Sequence, residues 1–122
     1  MKFSIVKSKI SQSEFLKMIS DHFPKTTEEI NDPDYEGLIH IQVGILAKYT
    51  NDSIAKYSMD EVQKVFQFFD TVIAKVDSET ENALYVSFLE HLEMDGESQR
   101  EKDALKLLPS KFQTIYQGLR NH

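Results

Sequence analysis

The sequence predicts an all-α fold, a compact antiparallel bundle of five to six helices. Apolar residues recur at the three- and four-residue spacing of helices over most of the chain. Only four Gly and three Pro interrupt it, and no Asn-Gly or Asp-Gly turn joins two alternating apolar runs. With 122 residues, the chain has the usual size of one domain, residues 1–122. Residues 1–10 are ambiguous, because Phe3 and Ile5 alternate with polar neighbours as in a short extended arm.

The first helix is predicted over residues 12–23. Ser11 can accept a hydrogen bond as its N-cap, and Glu14, three residues later, completes a capping box. Pro24 ends the helix, since a proline disfavours α conformation in the residue before it.

The second helix is predicted from Asp32-Pro33-Asp34 to about Tyr49 or Thr50. Asp is a favoured N-cap, and proline fits the first turn. The run 39–43 also alternates as a strand would. Helix is preferred there, because no second strand is evident to pair with it.

Two further capping boxes, Ser58 with Glu61 and Ser78 with Glu81, predict the starts of the third and fourth helices. Apolar residues cover most of the circumference of residues 83–92, so the fourth helix should be the most buried. The residues expected to be buried together are Phe66, Phe69, Leu84, Phe88, Leu89 and Leu92.

The end of the chain predicts two more helices. Gly96 is a suitable C-terminal cap for the fourth helix. The fifth should extend over residues 98–108, where Pro109 breaks it, and the sixth should begin at Ser110.

Composition excludes several classes of site. The chain has no Cys, which rules out disulfides, zinc–thiolate sites and cysteine nucleophiles. No apolar run is long enough for a signal peptide or a bilayer span, so we expect a cytoplasmic protein without a membrane partner.

The net charge of −6 is unevenly distributed. Residues 26–47 carry five acids and residues 76–99 carry seven, and neither segment contains Lys or Arg. Nucleic-acid binding is not expected, because contact with phosphates needs a basic face. An acidic surface instead favours a basic protein partner.

Two histidines, His40 and His91, are candidates for a chemical role. His40 lies between Ile39 and Ile41 with no Ser, Asp or second His nearby in sequence, so a packed or hydrogen-bonded helix histidine is expected rather than a general base. In a continuous helix, His91 and Asp95 would share one face with Glu93 close by. That set could ligate a divalent ion, but a solvated acidic helix end is preferred, and we expect no metal, cofactor or catalytic residue.

Three segments, 41–49, 82–92 and 107–112 together with Tyr116, resemble an uncharacterised family of small bacterial helical proteins. Proteins of this kind resemble the immunity partners encoded beside polymorphic or contact-dependent toxins. The resemblance implies a cytosolic protein that binds a cognate toxin and blocks it. It implies no catalytic residue.

The function expected from these observations is a non-catalytic inhibitor whose acidic surface meets a basic toxin domain. The rival hypotheses are a metal-dependent enzyme or sensor using His91, Glu93 and Asp95, and a structural homodimer that buries an aromatic patch. Lys102, Lys106 and Lys111 could instead cancel the acids within the monomer. The expected partner contacts are Glu79, Glu81, Glu90, Glu93, Asp95 and Glu97.

Overall fold

The structure is a computed structural model that describes residues 9–121. No β-strand occurs within those residues, which confirms the all-α prediction. Three 3-10 turns, Pro24–Thr26, Pro33–Tyr35 and Leu89–His91, and one π-helical segment, Leu84–Phe88, connect or extend the helices. The α-helices are α1 (Gln12–His22), α2 (Thr27–Ile30), α3 (Ile39–Ala55), α4 (Met59–Val72), α5 (Ser78–Ala83), α6 (Gln99–Leu107) and α7 (Ser110–Arg120).

The described residues form seven α-helices rather than the predicted five to six, because α2 is an additional short helix. Within this region Thr26 and Ile30, four residues apart, are buried. Four residues are too few to show an apolar periodicity, which is why the sequence pattern did not reveal α2.

The capping box predicted for the first helix is confirmed, and the predicted fifth helix also begins with a side-chain cap. At α1 the Glu14 N–H donates to Ser11 Oγ at 3.1 Å, and the Ser11 N–H donates to Glu14 Oε1 at 3.0 Å. At α6 Ser98 Oγ accepts the Glu101 N–H at 3.2 Å. These bonds satisfy donors that the first helical turn leaves without a backbone partner.

The predicted start of the second helix at Asp32 was wrong. Asp32 caps the 3-10 turn Pro33–Tyr35 instead, where its Oδ1 accepts the Asp34 N–H at 2.9 Å. Gly37 follows with a φ of +78°, a conformation that a helix cannot contain and that favours glycine. The helix therefore begins at Ile39, and it continues to Ala55.

Two of the predicted capping boxes are not formed. The Ser58 side chain makes no capping bond, and its carbonyl oxygen accepts the Glu61 N–H at 3.1 Å. The N-cap of α5 is Asp77 rather than Ser78, since Asp77 Oδ1 accepts the Thr80 N–H at 2.8 Å.

The fourth predicted helix changes its winding twice. After α5 the chain continues as the π segment and then as the 3-10 turn Leu89–His91. Leu92 is extended, with φ −74° and ψ 138°. The helix therefore ends before Gly96, which is not its C-terminal cap.

The predicted core is confirmed, because all six of its residues are at most 1% exposed. These residues are Phe66, Phe69, Leu84, Phe88, Leu89 and Leu92. Phe69 lies at its centre, with its ring centroid 5.3 Å from that of Phe88 and 4.7 Å from that of Phe112. These rings join α4, the π segment and α7. The π segment also packs against α3.

Residues 1–8 of the predicted extended arm lie outside the described residues. Ile10, at its end, forms a single parallel bridge with Val76, in which the Ile10 N–H donates to the Lys75 carbonyl at 2.8 Å. Within residues 9–121, no helix has the length and apolar character needed to cross a membrane.

Replacing Phe88 with Ala should lower the free energy of unfolding by about 3–5 kcal/mol, because the side chain is fully buried and the cavity left behind cannot close completely. The matched control is Ile115→Ala, since Ile115 is 37% exposed and should lose less than about 1 kcal/mol. Urea unfolding measures both values, and equal losses would contradict the assigned core.

Candidate partner-binding loop

The acidic loop, residues 92–98, connects the 3-10 turn Leu89–His91 to α6. Its first half alternates buried and exposed side chains. Leu92 and Met94 are 0% and 1% exposed, whereas Glu93 and Asp95 face solvent. The extended backbone at Leu92 accounts for this, because successive side chains of an extended chain point to opposite sides.

Asn51 of α3 holds the start of the acidic loop with both ends of its amide. Its Nδ2 donates to the His91 carbonyl at 3.0 Å, and its Oδ1 accepts the Glu93 N–H at 2.9 Å. One side chain thus replaces the backbone bonds that are lost where the helix stops.

Tyr116 of α7 binds the next part of the acidic loop from its buried side. Its hydroxyl donates to the Leu92 carbonyl at 2.6 Å and accepts the Met94 N–H at 3.0 Å. The side chain is 1% exposed, and burial raises the pKa of its phenol. The hydroxyl therefore keeps its proton and remains a donor at neutral pH.

Arg120, the last residue of α7, binds Asp95 through two nitrogens. Its Nε donates to Asp95 Oδ2 at 3.1 Å and its Nη2 to Asp95 Oδ1 at 3.0 Å. A third nitrogen, Nη1, donates to the Glu90 carbonyl at 2.8 Å. The hydrogen bonds from Arg120 lower the pKa of Asp95 below its ordinary value.

Glu101 of α6 holds the end of the acidic loop. Its Oε1 accepts the Gly96 N–H at 2.8 Å, and its Oε2 accepts the Ser98 hydroxyl at 3.1 Å. A Cβ on Gly96 would lie 2.4 Å from Glu101 Oε1, so any larger residue would displace this carboxylate. Gly96 therefore allows a side chain to approach the loop backbone, which is a different role from the predicted helix cap.

The six acids predicted as partner contacts do not form one cluster. Glu79 and Glu81 lie in the first turn of α5, and Glu79 Oε1 accepts the Gln12 amide at 2.8 Å. Glu90 follows Glu81 by nine residues, and the π segment lies between them. Four of the six are brought close together, in and beside the acidic loop. These are Glu90, Glu93, Asp95 and Glu97.

The basic residues near the C-terminus neutralise only part of the acidic loop. Lys102 Nζ lies 4.0 Å from Glu97 Oε1, the outer limit of an ion pair, and the Glu97 side chain is fully exposed. Lys111 pairs with Asp70 of α4 instead, at 3.3 Å. Within residues 9–121, Glu93 belongs to no ion pair.

Residues 16–122 match the model of a family described as a domain of unknown function, DUF7674. The chain belongs to this family. The matched region includes every side chain that holds the acidic loop, from Asn51 to Arg120, and leaves out the capping box of α1. Neither a curated protein nor a solved structure matches the chain.

The DUF7674 domain does not place the three proposed metal ligands on one helix face. The prediction that His91 and Asp95 lie one helical turn apart was wrong, because His91 ends the last helical turn and Leu92 is extended. Asp95 is held by Arg120. No group of three or more acids, His or Cys suited to a metal occurs in residues 9–121.

His40 forms a contact that the sequence did not reveal. Its Nδ1 lies 2.6 Å from Ser87 Oγ of the π segment, 47 residues later in the chain. The histidine is exposed and sits in the first turn of α3. The contact joins α3 to the π segment, as expected of a hydrogen-bonded helix histidine.

A concave region separate from the acidic loop lies between the C-terminal half of α3 and the first turn of α4. This open groove has a volume of about 1020 Å³ and contains both Lys and acidic side chains. Tyr57 at its edge has a φ of +60°, and the N–H groups of Tyr57 and Ser58 bond back to the last turn of α3. Because its charges are mixed, this groove does not favour one class of partner.

The Arg120–Asp95 pair should make stability depend on pH in one direction. Because the pKa of Asp95 is lowered in the folded state, its contribution is present above the ordinary value of 3.8 and disappears as the pH falls below it. Asp95→Asn should therefore be less stable than the natural protein at pH 6 by less than about 1 kcal/mol, as for exposed pairs, and the gap should narrow at pH 3.

Chemical denaturation at the two pH values measures this gap. Asp21→Asn is the control, since Asp21 pairs with Lys17 four residues earlier on the exposed face of α1. A gap at Asp95 that stays constant between pH 6 and pH 3 would show that the ion pair contributes nothing.

Proposed function

We propose that this protein is a non-catalytic protein-binding domain, an immunity-type inhibitor that binds and neutralises a basic toxin domain. The acidic loop is its principal contact. The proposed compartment is the cytoplasm, where an immunity partner would meet its toxin.

The observation that carries the proposal is the way the acidic loop is held. Side chains from α3, α6 and α7 bond to its backbone at successive positions, from His91 to Gly96. Glu93 and Glu97 are therefore presented on a backbone that is already ordered. A preordered loop loses less conformational entropy on association than a free one, and this favours binding.

The charge of the acidic loop supports a basic partner. Glu93 forms no ion pair in the described chain, although the hydrogen bond to Asp95 and, to a lesser extent, the charge of Glu93 raise the pKa of Arg120. Glu97 is fully exposed at the limit of pairing with Lys102. Such charges raise the rate of encounter with a positively charged surface and penalise acidic competitors. A toxin that acts on nucleic acid has such a surface, because it must hold phosphates.

The resemblance in segments 41–49, 82–92 and 107–112 supports the same function. Segment 41–49 lies in α3, which also carries Asn51. Segment 82–92 includes the π segment and the 3-10 turn that precedes the acidic loop. The third leads into α7, which carries Tyr116 and Arg120. The resemblance thus falls on the parts of the chain that build the proposed contact.

Reversing two charges, Glu93→Lys with Glu97→Lys, should slow association with the basic partner about tenfold at low salt, because the loop would then repel it. The difference should shrink at 0.5 M salt, where charges are screened. The melting temperature should hardly change, since both acids are exposed. The partner is the product of the neighbouring gene or a co-purified protein, and stopped-flow mixing gives the rates.

Asp21→Lys with Asp70→Lys is the matched control. Both acids are exposed, they lie in α1 and α4 rather than in the acidic loop, and their reversal gives the same change in net charge. The proposal expects little slowing in this variant. Equal slowing in both variants would mean that only net charge matters. No slowing in either would remove the acidic loop from the interface.

A further inference from the structure

The N-terminal end of α3 carries an exposed apolar pair, Leu38 and Ile41. Their exposed fractions are 46% and 45%. Leu38 is the N-cap residue of α3, and Ile41 lies in the first turn of that helix, three residues later in the chain. Ile45, one turn after Ile41, is 8% exposed and belongs to the core, so Leu38 and Ile41 are the exposed apolar residues at this end of α3. Large apolar side chains that are left in water side by side are typical of interaction surfaces.

The surroundings of the apolar pair are acidic. Glu28 and Glu29 of α2 and Asp34 and Glu36 beside the 3-10 turn Pro33–Tyr35 are all exposed. Among the described residues, Lys48 pairs with one of these acids, since its Nζ lies 3.9 Å from Glu29 Oε2. An apolar centre with an acidic rim fits a partner segment with an apolar centre and a basic rim.

A second copy of the chain fits this surface poorly. A symmetric dimer places the same patch on both subunits in contact. The acidic rims of the two copies would then face each other, and like charges opposed across an interface cost free energy. Charge therefore selects a different, basic protein.

The apolar pair and the acidic loop lie along the same helix. Asn51, which holds the loop, follows Ile41 by ten residues, which is about 15 Å along the axis and about 80° around it. A typical interface of about 800 Å² on each partner extends over that distance. One partner can therefore contact both.

We propose that the apolar pair is a second contact of the proposed interface and docks a basic amphipathic helix of the partner. This inference rests on the proposed function for the identity of the partner. Leu38 and Ile41 expose two apolar side chains at the start of α3, which suits the apolar face of another helix packed across them. The acids on the α2 side then meet its basic residues.

A synthetic 18-residue amphipathic helix of Leu and Lys tests the chemistry directly. The full chain should bind this peptide, and a peptide with Glu in place of each Lys should not bind. Leu38→Ser with Ile41→Ser should weaken binding about tenfold, because part of the buried apolar area is lost. Ile115→Ser is the control, since Ile115 is a 37% exposed apolar residue of α7 and should leave binding unchanged.

Fluorescence titration measures the affinities, and amide NMR shifts of the natural protein locate the peptide without any variant. Shifts centred on residues 34–48 support the inference. Shifts elsewhere, equal weakening by Ile115→Ser, or a dimer in sedimentation that Ile41→Ser disrupts would overturn it.

The two proposals fail in different ways. If Glu93→Lys with Glu97→Lys slows partner association while the peptide binds elsewhere, only this inference is lost. If the peptide binds at the apolar pair and partner association is insensitive to the acidic loop, the acidic loop is removed from the interface and the apolar surface stands.

Discussion

The packing of α3 against the π segment and the following 3-10 turn positions everything else at the proposed site. His40 contacts Ser87 at one end of this packing, and Asn51 bonds to the backbone of His91 and Glu93 at the other. A π segment is wider than an α-helix, and such segments occur frequently at functional sites. With both ends tied to α3, the chain leaves its last helical turn at a defined point. The acidic loop begins there.

The hydrogen bonds to the acidic loop fix the position of its backbone more than they stabilise the folded protein. Each hydrogen bond contributes only about 1 kcal/mol net to folding. Several of them nevertheless act on one short segment, and two of its side chains, Leu92 and Met94, are buried in the core below. Tyr116 links the two effects, because its ring is buried in the core while its hydroxyl bonds to the backbone on either side of Glu93. Exposed acids on an anchored backbone are a sensible arrangement for recognition, since the ordering cost is met on folding.

Much of the fold follows from local signals, whereas the anchors of the acidic loop do not. The core residues and the capping box at Ser11 were predicted, because helical periodicity and capping depend on neighbours in sequence. Asn51 and the backbone groups that it contacts are at least 40 residues apart in the sequence, and Tyr116 and its backbone partners are at least 22 residues apart. No short sequence pattern marks contacts over such separations. The sequence did contain one local signal of the extended backbone in the acidic loop. Residues 92–95 alternate apolar and acidic side chains, which is the period of an extended chain rather than of the predicted helix.

The central claim is that the acidic loop is ordered before any partner binds. Nitrogen relaxation of the free protein tests this most directly at the amides of Glu93, Met94 and Gly96, whose N–H groups are bonded to Asn51, Tyr116 and Glu101. The account predicts order parameters near 0.85, as in rigid backbone, and a lower value at Glu93 in Asn51→Ala. Values below about 0.6 at these amides in the natural protein would contradict it.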